Sequence, residues 1–241
     1  MTRNICWLSG VVVVCLACSA AWADNIPSSA DTHIFSNGAT NNYGNEQTLK
    51  VKRGFNNDLV ENSWSNRGLM AFDFPDTVLQ VLGATLHYYM TAGSNTAITL
   101  EHYRILQDDW RETGANWNTY DGTNGWNVAG CIGKMTDYDN SLVASLSLTS
   151  AQKTGWVSVD LTAIAQAALL ADQDNVNILI RGLGGTTWDV SRDVATKENT
   201  TESWRPYLEL DYTEVPEPAT VLLVGSGLLG LLGYLRRRRI G

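Results

Sequence analysis

The chain has 241 residues, 44% hydrophobic and 17% charged, with nine Trp, 21 Gly and a formal net charge of −8; this composition excludes a disordered polymer and leaves room for one ordinary domain or two small ones. Residues 24–214 carry 12 basic and 24 acidic side chains, a net of −12. Such a body is repelled by phosphate backbones, which excludes nucleic acid as a partner.

Residues 1–23 read as a secretory signal peptide: Arg3 supplies the positive start, residues 6–17 an apolar run, and Ala21-Trp22-Ala23 a small-x-small cleavage pattern. Cys15, three residues before Cys18, departs from the lipoprotein pattern, so the mature chain is expected to start near Asp24. From there, runs of period-two alternation bounded by Gly, Asn and Asp predict strands over 32–35, 48–52, 67–74, 84–90, 96–106, 142–148, 155–160, 177–182 and 207–212. In the run 96–106, Ile98, Leu100, His102 and Arg104 share one face while Thr99, Glu101, Tyr103 and Ile105 share the other. One helix is expected over 161–171, where Leu161, Ile164, Ala165, Ala168 and Leu169 form an apolar stripe and Asp160 can cap the start. Many short strands with turn residues between them, no internal repeat and no linker predict a single all-β, antiparallel β-sandwich domain over 24–214. Cys6, Cys15 and Cys18 lie in the signal segment, which leaves Cys131 without an intrachain disulfide partner and best read as a small buried apolar residue.

The C-terminal segment 215–241 has three parts. Val215-Pro216-Glu217-Pro218 breaks secondary structure and leaves an extended peptide. Residues 219–235 are 17 uncharged positions, the lower limit for a transmembrane helix. Arg236, Arg237, Arg238 and Arg239 then hold the C-terminus in the cytoplasm by the positive-inside rule, with the body outside. Pro216-Glu217-Pro218, a Gly-interrupted apolar helix and a terminal Arg cluster in this order resemble the PEP-CTERM sorting signal. The resemblance implies processing by an exosortase, transient inner-membrane anchoring, and a final place at the cell surface or in an exopolysaccharide-containing biofilm matrix.

Down the body run Asp31-Thr32, Asn42-Tyr43-Gly44-Asn45, the stretch from Arg67 to Phe74, Ala84-Thr85-Leu86, Trp110-Arg111-Glu112 with Trp117, Trp156 through Thr162, and Arg205-Pro206-Tyr207-Leu208. In this order they resemble DNRLRE-type domains, some of which are classed as carbohydrate-binding modules. The resemblance implies a jelly-roll-like β-sandwich. The loop over 54–65 is longer than that pattern expects.

No catalytic set is apparent. His33, His87 and His102 are far apart in sequence, there is no HExxH, CxxC, nucleophile elbow or P-loop, and Asp108-Asp109 with Glu112 reads as a solvated turn. Oxygen ligands at alternate positions make Asp137 with Asp139, and Asp172 with Asp174, candidates for a structural calcium. Sugar binding needs flat aromatic faces beside polar groups. Trp64, Tyr120, Trp126 and Trp188 are the candidate platforms, with Asn124, Asn127, Asp189 and Arg192 as hydrogen-bonding neighbours, whereas Trp110, Trp117 and Trp156 are assigned to the core. The reading that follows is a non-enzymatic exported protein that binds or organises extracellular polysaccharide. Its alternatives are a purely structural matrix protein with protein partners, and a polysaccharide-degrading enzyme.

Overall fold

The structure, a computed structural model, describes residues 21–53, 64–183 and 190–214 together with Gly227. The chain divides into two compact units, Ala21–Thr213 and the end segments Met1–Ala20 with Glu214–Gly241. The expected signal core, the Pro216-Glu217-Pro218 motif, the helix over 219–235 and the four terminal arginines all lie outside the described residues, as do Trp188 and Asp189. Among the described residues no helix is long and apolar enough to cross a membrane.

The unit Ala21–Thr213 is an all-antiparallel β-fold. Its strands are β1 (Ala21–Pro27), β2 (Ala30–Phe35), β3 (Thr48–Arg53), β4 (Asn66–Asp73), β5 (Val78–Gly93), β6 (Ile98–Arg104), β7 (Ala144–Leu148), β8 (Gly155–Asp160), β9 (Asn175–Leu183), β10 (Val190–Ala195) and β11 (Tyr207–Glu214). Among the described residues of this unit one α-helix, α1 (Thr162–Leu170), interrupts them, with short 3-10 turns at Ser36–Gly38 and Glu202–Trp204. The hydrogen-bonded order is β1-β11-β5-β10-β3-β4-β9-β6-β7, with β2 on β4 and β8 on β5. Among the described residues the β3–β4 step is the pair Lys52 and Asn66, and the curled sheet forms a sandwich around the main core. Two strands were not expected. β1 straddles the anticipated cleavage point, pairing Ala21 with Thr213 and Pro27 with Tyr207, and β10 is a six-residue strand between β3 and β5.

Why β4 and β9 read as continuous apolar runs becomes clear from their surroundings: each is covered on both faces. Met70, Phe72, Val176, Ile178 and Ile180 point into the main core, which also takes Leu86, Tyr88 and Met90 from β5, Leu208 and Leu210 from β11 and Ile164 from α1. Leu69, Ala71 and Leu179 point the other way, into a second cluster roofed by Tyr103, Ile105, Trp110, Trp126, Cys131 and Tyr138. The irregular segment between β6 and β7 is therefore a packed layer. Arg67 ties it down by donating to the Gly130 carbonyl at 2.5 Å and stacking its guanidinium 4.4 Å from the Trp117 ring. Gly130 has φ +84°, and a Cβ there would collide with both side chains.

Helix α1 forms as its pattern requires. Ile164, Ala165 and Ala168 are buried, and the Asp160 carboxylate accepts the Thr162 amide at 2.8 Å ahead of the first turn.

Candidate carbohydrate-binding groove

Alternation along β3 sends Leu49 and Val51 into the core and leaves Thr48, Lys50 and Lys52 on the outer side, where they line an open groove of about 330 Å³. His33 and Phe35 of β2, Tyr43 and Glu46 of the following loop, Trp64 and Asn66 at the start of β4, and Asp193 of β10 complete it. Trp64 is 52% exposed and has φ 78°, a backbone conformation that bulky residues rarely adopt and that holds the indole at the rim. Its ring lies 6.0 Å from Phe35, and the Lys52 ammonium lies 5.9 Å from its centroid. Lys50 approaches Asp193 at 3.7 Å. His33 stacks on Tyr43 with ring centroids 4.3 Å apart, and burial, then the charge of Lys50, push its pKa down to about 4. The groove thus offers a half-exposed indole face, a neutral imidazole, two ammonium groups and carboxylate and amide partners.

Of the described residues expected from sequence to bind sugar, only Trp64 stands in this groove. Trp126 is a correction: it is 6% exposed, its Nε1 donates to the Asn116 carbonyl at 2.9 Å, and it packs in the second cluster because the segment around it is a layer rather than a free loop. Tyr120 is half-buried edge-on against Trp126. Asn124 is tied to Asp121 through both its backbone and side-chain N–H groups, and Asn127 is tied in the same way to Asp137. Arg192 is a second correction. It lies on the inward side of β10 with Val190 and Val194, fully buried, and donates to the carbonyls of Gln152, Ser94, Ser191, Thr96 and Thr149. Trp156, assigned to the core, is 44% exposed instead. It stands edge-on to Tyr89 and to Tyr207, Trp204 stacks flat on Tyr89 at 4.4 Å, and His87 stacks on Tyr207 at 4.7 Å, so a strip of rings runs along the outer face of β5, β8 and β11.

The expected calcium pairs do not converge as ligand sets. Asp137 is fully buried, and its oxygens accept amides from Asn127, Val128 and Gly133. Asp139 accepts from Arg104 and Ser141, so N–H and O–H donors surround both carboxylates. Asp172 and Asp174 are exposed on the rim of an open groove of about 560 Å³ shared with Asp73 and Asp76. Among the described residues, the group of three acids whose ligating atoms lie within 4.8 Å of one another is Asp31, Glu112 and Glu198. Sequence reasoning missed it, although Asp31 and Glu112 each stand in a short motif already singled out. Burial pushes the Asp31 carboxyl up to about 7 against the lowering effect of the Lys197 amide, and the charges of Glu198 and Glu112 add to the rise.

An antiparallel sandwich with an aromatic-rimmed polar groove on one face is the build of a ligand-binding β-sandwich module. Residues 23–212 match carbohydrate-binding module family 96, and the chain belongs to that family. Residues 214–239 match the PEP-CTERM protein-sorting motif. No curated protein matches the chain.

Proposed function

We propose that this protein is a non-catalytic polysaccharide-binding module, exported, held transiently in the inner membrane by its C-terminal helix, processed by an exosortase and retained at the cell surface or in an exopolysaccharide matrix. The observation that carries the reading is the groove at Trp64, where an exposed indole stands beside Lys50 and Lys52. An indole face covers the apolar side of a pyranose ring, and two ammonium groups suit the carboxylates of an acidic glycan. The family and sorting-motif matches support the binding and export halves. The raised Asp31 carboxyl does not favour catalysis, because that side chain is fully buried.

Affinity electrophoresis of the domain 21–214 through gels containing acidic or neutral polysaccharides, including exopolysaccharide from the producing cells, tests this. Retardation by an acidic polysaccharide that is lost in Trp64→Ala and in the Lys50→Ala, Lys52→Ala double variant is expected. Retardation lost only in Trp156→Ala would move the site to the aromatic strip. No retardation on any gel by a folded domain would leave a structural matrix protein.

A further inference from the structure

Asp31 lies on β2, Glu112 in the layer after β6 and Glu198 in the loop after β10, three segments more than 80 residues apart in sequence that meet at one point. Most of their polar atoms are accounted for. The Lys197 amide donates to Asp31 Oδ2 at 2.9 Å, and the Asp31 amide donates to Glu112 Oε1 at 2.8 Å. The Lys197 ammonium bridges Glu112 Oε2 at 2.9 Å and Glu198 Oε1 at 2.6 Å. Two oxygens remain, Asp31 Oδ1 and Glu198 Oε2, both buried and outside these hydrogen bonds, although the Ser28 hydroxyl lowers the Asp31 pKa from nearby. Asp31 as a whole is 0% exposed.

A buried carboxylate oxygen short of donors is costly, and with Asp31 ionised the three carboxylates outnumber the one ammonium. We infer that Asp31, Glu112 and Glu198 bind a divalent cation of the calcium type, with Asp31 Oδ1 and Glu198 Oε2 as its innermost protein ligands. The donor set is all oxygen, with no His or Cys, which suits a hard cation and not zinc. One such ion offsets the excess charge and gives both of these oxygens a cationic partner. The site also bears on the groove. Asn42 Nδ2 donates to the carbonyls of Glu112 and Ala115, and Gly44 lies so close to Glu112 that a Cβ would come within 2.5 Å of its carbonyl oxygen. An ion that fixes Glu112 therefore fixes the loop that supplies Tyr43 and Glu46.

The test is isothermal titration of chelator-stripped domain 21–214 with calcium chloride alone, with thermal unfolding followed in parallel; the unit Ala21–Thr213 contains both clusters described above. One ion per chain is expected, with a saturable rise in Tm of ~5 °C or more. Glu198→Gln and Asp31→Asn should each weaken binding by about tenfold or more. Glu198→Gln alters a partly exposed side chain and keeps its shape, so it reads out binding even if Asp31→Asn fails to fold. Neither heat nor a Tm shift up to about 10 mM calcium would overturn the inference, leaving Asp31 protonated and donating to a neighbouring carboxylate. Equal binding by wild type and Glu198→Gln would overturn it too, by placing the ion elsewhere, such as the rim at Asp172 and Asp174.

Discussion

Tyr88 of β5 donates its phenolic hydrogen to Nε2 of His102 on β6 at 3.2 Å inside the main core. The tautomer follows from the other ring nitrogen, which lies 3.1 Å from the Ala144 carbonyl and must carry the proton, because a carbonyl only accepts. Burial pushes the His102 pKa from 6.5 down to about 4, against the raising effect of the Ala144 bond. A base with a lower pKa folded than unfolded binds its proton less readily in the native state. Its stabilising contribution is therefore full above about 6.5 and is lost as pH falls through about 4. Urea unfolding of wild type and His102→Gln at both ends of this window should show wild type losing on the order of 3 kcal/mol more than the variant. Parallel losses would mean that His102 does not titrate in this range.

Arg192 should prove a structural residue despite its charge. Five carbonyls accept its N–H groups, and Gly93 leaves the space it occupies, since a Cβ there would sit 2.7 Å from Arg192 Cδ. Lys at this position keeps the charge but not the planar fork, so Arg192→Lys should destabilise the domain by about 3 kcal/mol in chemical denaturation, with glycan retention in native gels unchanged.

Two of the candidate platforms, Trp126 and Trp64, should separate cleanly. Trp126→Ala opens a cavity beneath the loop layer and frees the Asn116 carbonyl, and should cost about 3–5 kcal/mol of stability. Trp64→Ala removes a half-exposed ring, should leave stability within about 1 kcal/mol, and should weaken polysaccharide binding by about tenfold. Unfolding curves and affinity electrophoresis on the same preparations measure both.

Cys131 is fully buried and has φ 57°, and burial pushes its thiol pKa well up. A thiol reagent should leave native protein unmodified and label one site per domain only after denaturation. Rapid labelling of native protein would contradict this placement.

Much of the fold is written in the alternation. β3 and β8 lie where period two puts them and β5 includes its expected run, because each has one clear inward face, whereas β6 also buries Tyr103 on its other side. The site was less legible for two reasons. Nothing local tells a loop that packs as a layer from one that stays in solvent, and this placed Trp126 outside and made the Asp137 carboxylate look available. β10 shows the other limit: in Val190-Ser191-Arg192 the inward position carries a charge, and only the carbonyls of distant turns explain why it is there. Lys50 and Lys52 were readable, since they alternate with Leu49 and Val51, but what they face depends on β2 and β10. The acid cluster required three segments to meet, and local spacing carries no trace of that.

Strand β11 ends at Glu214, where the sorting segment begins, and it runs between β1 on one side and β5 on the other. Any tension transmitted through the tail enters the domain along this strand. Drawing it out requires two ladders to slide at once, with Leu208, Leu210 and Tyr212 leaving the core. The domain's last strand is thus an interior strand paired on both sides rather than an edge that peels one hydrogen bond at a time.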